Sequence, residues 1–507
     1  MKIISMYLPQ YHRVKENDEW WGEGYTDWVG TRNAKPLYEG HYQPHIPLNG
    51  YYYDLLDRKT FEWQAELMKK YGIDGQCIYH YWFKDGRQIL ERPAENLLKW
   101  TDIDMPYCFS WANQSWARSW SAVKNANVWD DEREKKKGNS NDSGMLLEQQ
   151  YGDEKEWRAH FNYLVPFFKD NRYIKVQGKP VFVLYQALYI TVLKEMADCW
   201  NLWAKQEGFE GIYFIGASNK DESLVDGVLY PAPQMAMSTL FPLANMEPSS
   251  KVKVLDYSTV WNVTLDMALT KESGMVGAFV GYDDVPRRGN RGCVIDNATP
   301  DIFKESLTKL IAINAQHNQP FTFINAWNEW GEGMHLEPDE KYGMAYLEAV
   351  KYAKIHYQDV QKNLFMKPSV LEDIEQKNVT EQYRLRADRY KSYWQVLDKW
   401  LTLKEREKCL AENLQRKGIK TVAIYGIGML ARHLISDLEE NGIEIAYGLD
   451  KKHMKEVYKF PIYDLSQKQE DVDTIIVTVC YDYASIKQQL EACGYKNIIS
   501  LETLLEE

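Results

Sequence analysis

Short apolar runs alternate with longer amphipathic stretches through about the first 350 residues. Runs of roughly four to eight β-favouring residues predict strands, and stretches with a period near 3.6 predict helices. Eight strands are predicted, at 2–8, 75–82, 106–111, 180–185, 212–217, 227–230, 277–282 and 321–326. Helices are predicted between several of them, at 59–71, 154–169, 191–207 and 301–316. This alternation indicates a parallel (β/α)8 barrel, with an open sheet as the alternative.

The pattern changes after residue 350. Apolar residues then recur at alternating spacings of four and three, which predicts one stripe on a long helix over about 380–410. The stripe consists of Tyr383, Ala387, Tyr390, Trp394, Leu397 and Leu401. Such a stripe needs a partner, and three are open: the barrel, the last domain, or a second chain in a homo-oligomer.

A second α/β pattern begins near residue 418. A strand at 421–425 runs into GIGMLA, followed by an amphipathic helix to 441, a strand at 443–449 and Asp450. This order is typical of a small Rossmann-like domain, with Gly426, Gly428 and Ala431 at the glycine positions. We expect either a nucleotide of unknown identity near Gly426, Gly428 and Asp450, or a docking module. The expected domains are therefore a barrel at 1–355, a helical linker at 356–416 and the Rossmann-like domain at 417–507.

Composition narrows the classes of partner. The net charge of −12 argues against a nucleic-acid partner, which needs a basic surface. The 18 Trp and 35 Tyr are typical of a sugar-binding protein, although many such rings belong to a core. Seven scattered cysteines without a CxxC pair indicate reduced thiols. The first residues resemble neither a signal peptide nor a membrane anchor, so the expected location is cytoplasmic without a membrane span.

Polar and aromatic residues follow the predicted strands. In a parallel barrel the strand ends meet at one face, where active sites form. The expected substrate-binding residues at these ends are Tyr11, His12, His80, Tyr81, Trp111, Asn113, Gln114, Tyr185, Tyr282 and Asn328, with Ser218 a further candidate and Trp21 on a long Gly-rich and Pro-rich insert at 16–53. Amides and aromatic rings of this kind suit a neutral, hydroxyl-rich substrate.

The segment at 321–339, FTFINAWNEWGEGMHLEPD, carries the candidate chemistry. Glu329 and Glu332 lie three residues apart after the eighth strand, flanked by Trp327 and Trp330. Paired carboxylates beside aromatic rings are what glycosidic bond chemistry requires, namely a proton donor, a base or nucleophile, and flat faces for sugars. The alternative is a tryptophan-rich strand end whose glutamates are solvated or salt-bridged.

Two other stretches carry a weaker signal. His41 and His45 are four residues apart, but Pro44 between them forbids an ordinary helix, so no metal site is predicted there. The charged and small polar run at 130–143 predicts an exposed, mobile loop.

The chain resembles a known family in the segments YLPQYHRVKENDEWWGEGYTDW, GHYQPHIPL, YHYWF, LERP, SWANQSWARSW, RYIKVQGKPVF and NAWNEWGEGMHLEPD. These look like the WbsX-type proteins of bacterial surface-polysaccharide clusters, described as glycosyltransferases and related to the glycoside hydrolase family 99 endo-α-mannosidases. The resemblance implies that Glu329 acts as base on the 2-hydroxyl of the substrate and that Glu332 acts as acid and then as base. It places Trp327, Asn328 and Trp330 beside the substrate, and a raised pKa for the acid would follow from burial beside the two tryptophans. Family members commonly carry an acidic residue where this chain has Gln114. The charge balance or the choice of substrate beside Gln114 is therefore in question.

The expected function is an enzyme that makes or cleaves glycosidic bonds in surface-polysaccharide (O-antigen, lipopolysaccharide or capsule) metabolism, by a retaining mechanism with two glutamates. No cofactor is predicted for the barrel. A nucleotide-sugar-dependent glycosyltransferase is the first alternative, but the only DxD of the barrel region, Asp102 and Asp104, precedes a strand and belongs to the opposite face. The second alternative is a non-catalytic carbohydrate-binding scaffold.

Overall fold

The computed structural model describes residues 1–117, 145–217, 222–248, 250, 252–362, 371–406, 408–450, 458–465 and 469–506. They form two compact units, Met1–Gln376 and Lys377–Glu507. The loop predicted at 130–143 and the candidate Ser218 lie outside the described residues. In the described part of the chain, every helix is too short or too polar to cross a lipid bilayer.

Eight parallel strands close into a barrel in the first unit. They are β1 (Lys2–Tyr7), β2 (Gly75–Trp82), β3 (Tyr107–Trp111), β4 (Lys179–Leu184), β5 (Tyr213–Ala217), β6 (Gly227–Tyr230), β7 in two pieces (Met275–Val276 and Ala278–Phe279) and β8 (Phe321–Asn325). Each strand pairs with the next, and β1 pairs with β8 in the register Ile4 to Phe323. The first piece of β7 pairs with β6 and the second with β8, which closes the ring. The predicted (β/α)8 barrel is confirmed.

The seventh strand begins two residues earlier than predicted and is interrupted at Gly277, whose N–H bonds to the Tyr230 carbonyl. Tyr282 therefore lies outside it. Tyr282–Asp283 instead belongs to a separate four-stranded sheet with Asn245–Met246, Lys253–Asp256 and Cys293–Asp296. The apolar run continues through Val280, so the sequence pattern did not mark where β7 ends.

Helices surround the barrel, at Arg58–Tyr71, Arg92–Lys99, Glu154–Lys169, Leu193–Gln206, Gln234–Leu240, Tyr257–Thr270, Pro300–Gln316 and Ala345–Lys362. Several have a side-chain cap at the first turn. Asp57 accepts from the Lys59 N–H, and Asp153 accepts from the N–H groups of Lys155 and Glu156. Such caps satisfy N–H groups that a helix leaves unpaired at its start.

Shorter elements line the end of the barrel where the strands finish. Helices Lys15–Trp21 and Asp27–Asn33 follow β1, and the short helix Val285–Arg288 follows β7. After β8 the chain forms a hairpin, in which Asn328–Glu329 pairs antiparallel with Met334–His335. The remaining short strands are Gln88–Ile89, Trp116–Ala117, Met145–Leu147 and Lys175–Val176.

The second unit contains a parallel sheet of five strands: β9 (Thr421–Tyr425), β10 (Glu444–Leu449), β11 (Ile462–Tyr463), β12 (Thr474–Val477) and β13 (Ile498–Ser500). The spatial order is β11, β10, β9, β12, β13, which is the 3-2-1-4-5 order of a doubly wound α/β fold. Helices Leu410–Arg416, Met429–Glu440, Tyr483–Ala492 and Leu501–Glu506 accompany it. A small parallel α/β domain is therefore present; the exact domain limits at 355 and 416 stay predictions.

The predicted long helix is present and spans Leu371–Glu405. Of the predicted stripe, Leu397 packs against the core of the second unit, but the fully buried residues there, Val396 and Trp400, lie outside the stripe. Val396 and Trp400 pack with Leu410 and Leu414 in the core of the second unit, whereas Trp394 is 64% exposed. Residues four apart on a helix share a face, so Val396 and Trp400 define the packed side. The homo-oligomer through this helix stays a prediction.

Candidate active site

A cavity of about 290 Å³ opens at the carboxyl ends of the barrel strands. Among the residues expected at the site, six line it: Trp21, Tyr81, Gln114, Tyr185, Glu329 and Glu332. Their neighbours in the lining include Tyr25, Asp27, Trp116, Gln234 and Arg287. The cavity therefore combines aromatic rings, amides and a cluster of charged groups at the barrel face where active sites form.

Arg287 holds the charged cluster together. Its Nη1 donates to Glu332 Oε1 at 2.5 Å, and its Nη2 donates to Glu329 Oε2 at 2.8 Å and to Asp27 Oδ2 at 3.1 Å. One guanidinium thus bridges three carboxylates, two of them from the hairpin after β8 and one from the helix after β1. Charge-assisted bonds of this kind fix both position and orientation.

The chain approaches this cluster closely at Gly331. The Gly331 N–H donates to Asp27 Oδ2 at 3.2 Å. A Cβ atom at this position would lie 2.6 Å from the same oxygen and 2.9 Å from Arg287 Nε, which is closer than such atoms can approach. The glycine between Trp330 and Glu332 is therefore required for the hairpin to reach Asp27 and Arg287.

Glu329 is the buried member of the pair. Burial raises the pKa of its carboxyl to about 8, with the Arg287 cation opposing the rise and the Glu332 and Asp27 carboxylates adding to it. The Glu332 side chain lines the same cavity and is about a quarter exposed. A carboxyl with a pKa near 8 holds its proton at neutral pH, which is the state that a general acid needs.

The two flanking tryptophans face away from the pair and into the core. Trp327 Nε1 and Trp330 Nε1 each donate to Glu337 at 2.8 Å. Both rings are fully buried and absent from the cavity lining, so the expected contact of these rings with substrate is wrong. The hairpin reverses the chain after Glu329, so that Trp327 and Trp330 turn inward together.

Glu337 completes this inward cluster. It also accepts from the Tyr53 hydroxyl at 2.8 Å and from Gln64 Nε2 at 2.7 Å. Burial raises the pKa of Glu337 to about 7, although its four hydrogen-bond donors oppose the rise. All four donors are neutral, so this carboxyl is held by hydrogen bonds where Glu329 and Glu332 are held by charge.

Tyr11 and Asn328 position the hairpin and do not line the cavity. The Tyr11 hydroxyl donates to the Asn328 carbonyl at 2.5 Å and accepts from the Trp330 N–H at 3.1 Å. Asn328 accepts from the Leu8 N–H at 2.7 Å and donates to the Leu8 carbonyl at 3.0 Å. Both are buried, which corrects the expectation that they contact substrate directly.

Five further expected residues lie away from the cavity lining. His80 Nε2 lies 2.8 Å from His160 Nε2, Trp111 Nε1 donates to the Trp82 carbonyl at 3.0 Å, and Asn113 Nδ2 donates to the Gln186 carbonyl at 2.9 Å. His12 is fully buried, and Tyr282 donates to Asp284 Oδ2 at 3.0 Å beside a second cavity. The sequence pattern at the strand ends did not distinguish side chains that point into the core from side chains that line the cavity, because these strands are buried on both faces.

Sequence reasoning missed Asp27, Arg287 and Glu337. Asp27 lies in the Gly-rich and Pro-rich insert at 16–53, and Arg287 follows Tyr282 by five residues in a stretch with no strand or motif signal. The one available indication was the excess of carboxylates at the strand ends, since clustered acids need a cation.

Contacts within the second unit explain the conformation of its glycine turn, residues 426–428. Gly426 has a positive φ of 86°, and a Cβ there would lie 2.5 Å from the Val479 side chain. Gly428 precedes the helix Met429–Glu440 and has open space around it. The Ile427 N–H donates to Asp450 Oδ2 at 2.8 Å, so this carboxylate binds the turn itself. Nucleotide binding at Gly426, Gly428 and Asp450 stays a prediction.

The chain resembles several known proteins. It is 29% identical over 369 residues to the uncharacterized protein WxcX of two strains of Xanthomonas campestris pv. campestris, which covers 71% of this chain and half of each relative. The GH99 endo-alpha-mannosidase from Bacteroides thetaiotaomicron aligns over 71% of this chain and 98% of its own, with 14% identity and a TM-score of 0.42. A family 5 xyloglucanase from Paenibacillus pabuli aligns over 70% of this chain and 98% of its own, with 7% identity and a TM-score of 0.34.

The chain spans about half the length of the curated relatives it matches. The family model described as glycosyltransferase WbsX matches residues 3–350, which include nearly all of the barrel and the hairpin with both cavity glutamates. The chain therefore belongs to the WbsX glycosyltransferase family.

Proposed function

We propose that the barrel makes or cleaves glycosidic bonds in polysaccharide metabolism and that Glu329 and Glu332 carry the reaction. The observation that carries the proposal is their position, with both carboxyl groups in one cavity and on one guanidinium. Acid and base on either side of a scissile bond are what glycoside chemistry requires.

The difference in burial between the two glutamates supports a division of roles. Glu329, protonated at neutral pH by its raised pKa, is the proton donor to the leaving oxygen. Glu332, about a quarter exposed and paired with Arg287, is the base or nucleophile. This order is the reverse of the one that the family resemblance implies. A pH–rate profile of Glu332→Gln that retains a single titration, at a lower pH than in wild type because the Glu332 charge no longer raises the Glu329 pKa, supports the order proposed here.

The rest of the lining suits a neutral sugar. Trp21, Tyr81 and Tyr185 offer ring faces, and Gln114 and Gln234 offer amides that both donate and accept. Arg287 is already paired with three carboxyl groups, which favours a role in supporting the glutamates over a role as anchor for an acidic sugar.

Transfer from a nucleotide sugar is the second candidate, favoured by the description of the family. The DxD of the barrel region does not support it. Asp102 bonds to Arg58, and Asp104 lies 3.6 Å from Lys69, both before β3 and hence at the opposite end of the barrel from the cavity. A retaining glycosidase or transglycosidase reaction needs no diphosphate site.

The test is incubation of the full chain with manno-configured and related oligosaccharides, with and without nucleotide sugars, followed by product analysis. We expect cleavage or transfer products without any nucleotide, absent from Glu329→Gln. Products that appear only with a nucleotide sugar would overturn the mechanism in favour of the second candidate. Saturable glycan binding without products under any condition would identify a carbohydrate-binding scaffold.

A further inference from the structure

A second cavity of about 320 Å³ lies behind the hairpin that carries the glutamates. His45, His335 and Asp339 meet in its wall, with one ligand atom from each within 4.8 Å of the other two. His45 lies on the insert after β1. His335 lies within the hairpin strand Met334–His335, and Asp339 lies just beyond that strand. The sequence paired His45 with His41, but His41 Nε2 instead bonds to Asp283 at 2.7 Å.

Hydrogen bonding prepares His335 as a ligand. Its Nδ1 lies 3.0 Å from the Glu337 carbonyl oxygen, which can only accept, so Nδ1 carries the hydrogen. Nε2 therefore presents a bare lone pair, 2.9 Å from His45 Nδ1 and 3.9 Å from Asp339 Oδ2. A backbone carbonyl on the far nitrogen is the arrangement that orients histidine ligands in metal proteins.

The three atoms have the spacing of a coordination sphere. His335 Nε2 lies 2.9 Å from His45 Nδ1 and 3.9 Å from Asp339 Oδ2, and one ligand atom from each of the three residues lies within 4.8 Å of the others. Separations of this size suit ligands that share one Zn²⁺ ion at bond lengths of about 2.0 to 2.2 Å. Two imidazoles and one carboxylate form a donor set that divalent transition metals favour.

Backbone bonds hold the donors in place. The Leu48 N–H donates to the Pro338 carbonyl and the Glu340 N–H donates to the Ile46 carbonyl, both at 2.9 Å. These two bonds flank Asp339 on its own segment and join that segment to the residues directly after His45. The Asp339 carboxylate is oriented in turn, since its Oδ1 accepts from the Tyr342 N–H at 2.6 Å. The donors are therefore held in position before any cation arrives, which lowers the cost of binding.

We propose that His45, His335 and Asp339 bind one divalent transition-metal cation of the Zn²⁺ class. The cation would replace the hydrogen between the two imidazoles, with that hydrogen then on His45 Nε2, and would leave coordination positions open to the second cavity. The cation would join the insert after β1 to the hairpin. Within the hairpin region, His335 is hydrogen-bonded to the Glu337 carbonyl, and the Glu337 carboxylate accepts from Trp330. The site does not depend on the proposed function of the first cavity.

The test is titration of the metal-free full chain with Zn²⁺ by calorimetry and with Co²⁺ by visible absorption. We expect about one equivalent to bind, and His45→Gln and Asp339→Asn each to weaken binding at least about tenfold. Asp339→Asn keeps the oxygen that accepts from Tyr342, so it removes the charge without removing the turn. Mg²⁺, which prefers an all-oxygen set, is expected not to compete.

Two matched variants separate metal binding from general damage. His41→Gln removes another buried histidine of the same cavity and is expected to leave Zn²⁺ affinity unchanged. Lys341→Met removes an ammonium that lies over the Tyr42 and Tyr342 rings of this cavity, and we expect it to tighten binding by roughly threefold through loss of charge repulsion. Absence of stoichiometric binding to wild type, or equal affinity in wild type, His45→Gln and Asp339→Asn, would overturn the proposal and leave the imidazoles as a hydrogen-bonded pair.

Discussion

The hairpin after β8 presents carboxyl groups to two different surroundings. On the cavity side, Glu329 and Glu332 are held by the charge of Arg287 and reach open space. On the core side, Glu337 is held by four neutral donors and is 2% exposed. Both Glu329 and Glu337 have a pKa raised by burial. The comparison teaches that a raised pKa alone does not identify a catalytic carboxyl. A catalytic carboxyl must also be accessible to substrate.

Removal of the cation should have the largest effect on the cavity side. Arg287→Met leaves the carboxyl groups of Asp27, Glu329 and Glu332 close together without their shared cation, so we expect turnover to fall about a hundredfold to a thousandfold. Stability should fall by about 3 kcal/mol, because a mostly buried ion pair loses one member. Steady-state kinetics and urea unfolding measure both. Arg13→Met removes an exposed arginine that also bonds two carboxylates and should change neither quantity measurably.

On the core side, loss of one acceptor should affect stability first. Glu337→Gln replaces one carboxylate oxygen with an amide NH₂, which faces two N–H or O–H donors whichever way the amide turns. We expect a loss of about 2 kcal/mol from the unpaired donors, with turnover per folded molecule reduced far less than in the Arg287 variant. Urea midpoints at constant pH, combined with active-site kinetics on the folded fraction, provide the readout. A stable but inactive Glu337→Gln would remove the distinction between the two sides.

The raised pKa of Glu329 has a consequence for stability against pH. In the folded protein the carboxyl titrates near pH 8, against an ordinary value of 4.5, so the folded state holds the extra proton between these values. The free energy of unfolding contributed by this group therefore falls as the pH rises from about 4.5 to 8. We expect Glu329→Gln to gain stability relative to wild type across that window. An unchanged stability difference from pH 5 to pH 8 would contradict the raised pKa.

The smallest effect should come from an aromatic wall of the cavity. Trp21→Ala removes a ring face but no charged group, so we expect KM for an oligosaccharide to rise about threefold to tenfold with little change in kcat. Trp327→Phe, which changes a core ring, should instead lower stability and leave KM unchanged. The opposite pattern would return Trp327 to the substrate site.

The barrel could be predicted because its strands are buried on both faces and read as continuous apolar runs. The predicted bounds of β7 were wrong, because Gly277 interrupts this strand inside an apolar run. The cavity glutamates could be located because they follow a strand end in a parallel barrel. The inward turn of Trp327 and Trp330 could not, since it depends on the pairing of Glu329 with Met334 across the hairpin.

The contacts that sequence reasoning missed join segments far apart in the chain. Arg287 meets Asp27 across 260 residues, and His45 meets His335 across 290. Neither pairing follows from local periodicity or motif spacing, because each depends on which loops the closed barrel brings together. From sequence alone, an arginine in a loop is expected to be exposed, because its carboxylate partners are not yet known.

The central claim is that the carboxyl groups of the first cavity, and not that of Glu337, carry the chemistry. The most direct measurement is turnover per folded molecule of Glu329→Gln, Glu332→Gln and Glu337→Gln on one glycan substrate. We expect the first two to lose at least about a hundredfold with their folds intact, and the third to retain turnover within about tenfold. Normal turnover in Glu329→Gln or Glu332→Gln would contradict the account.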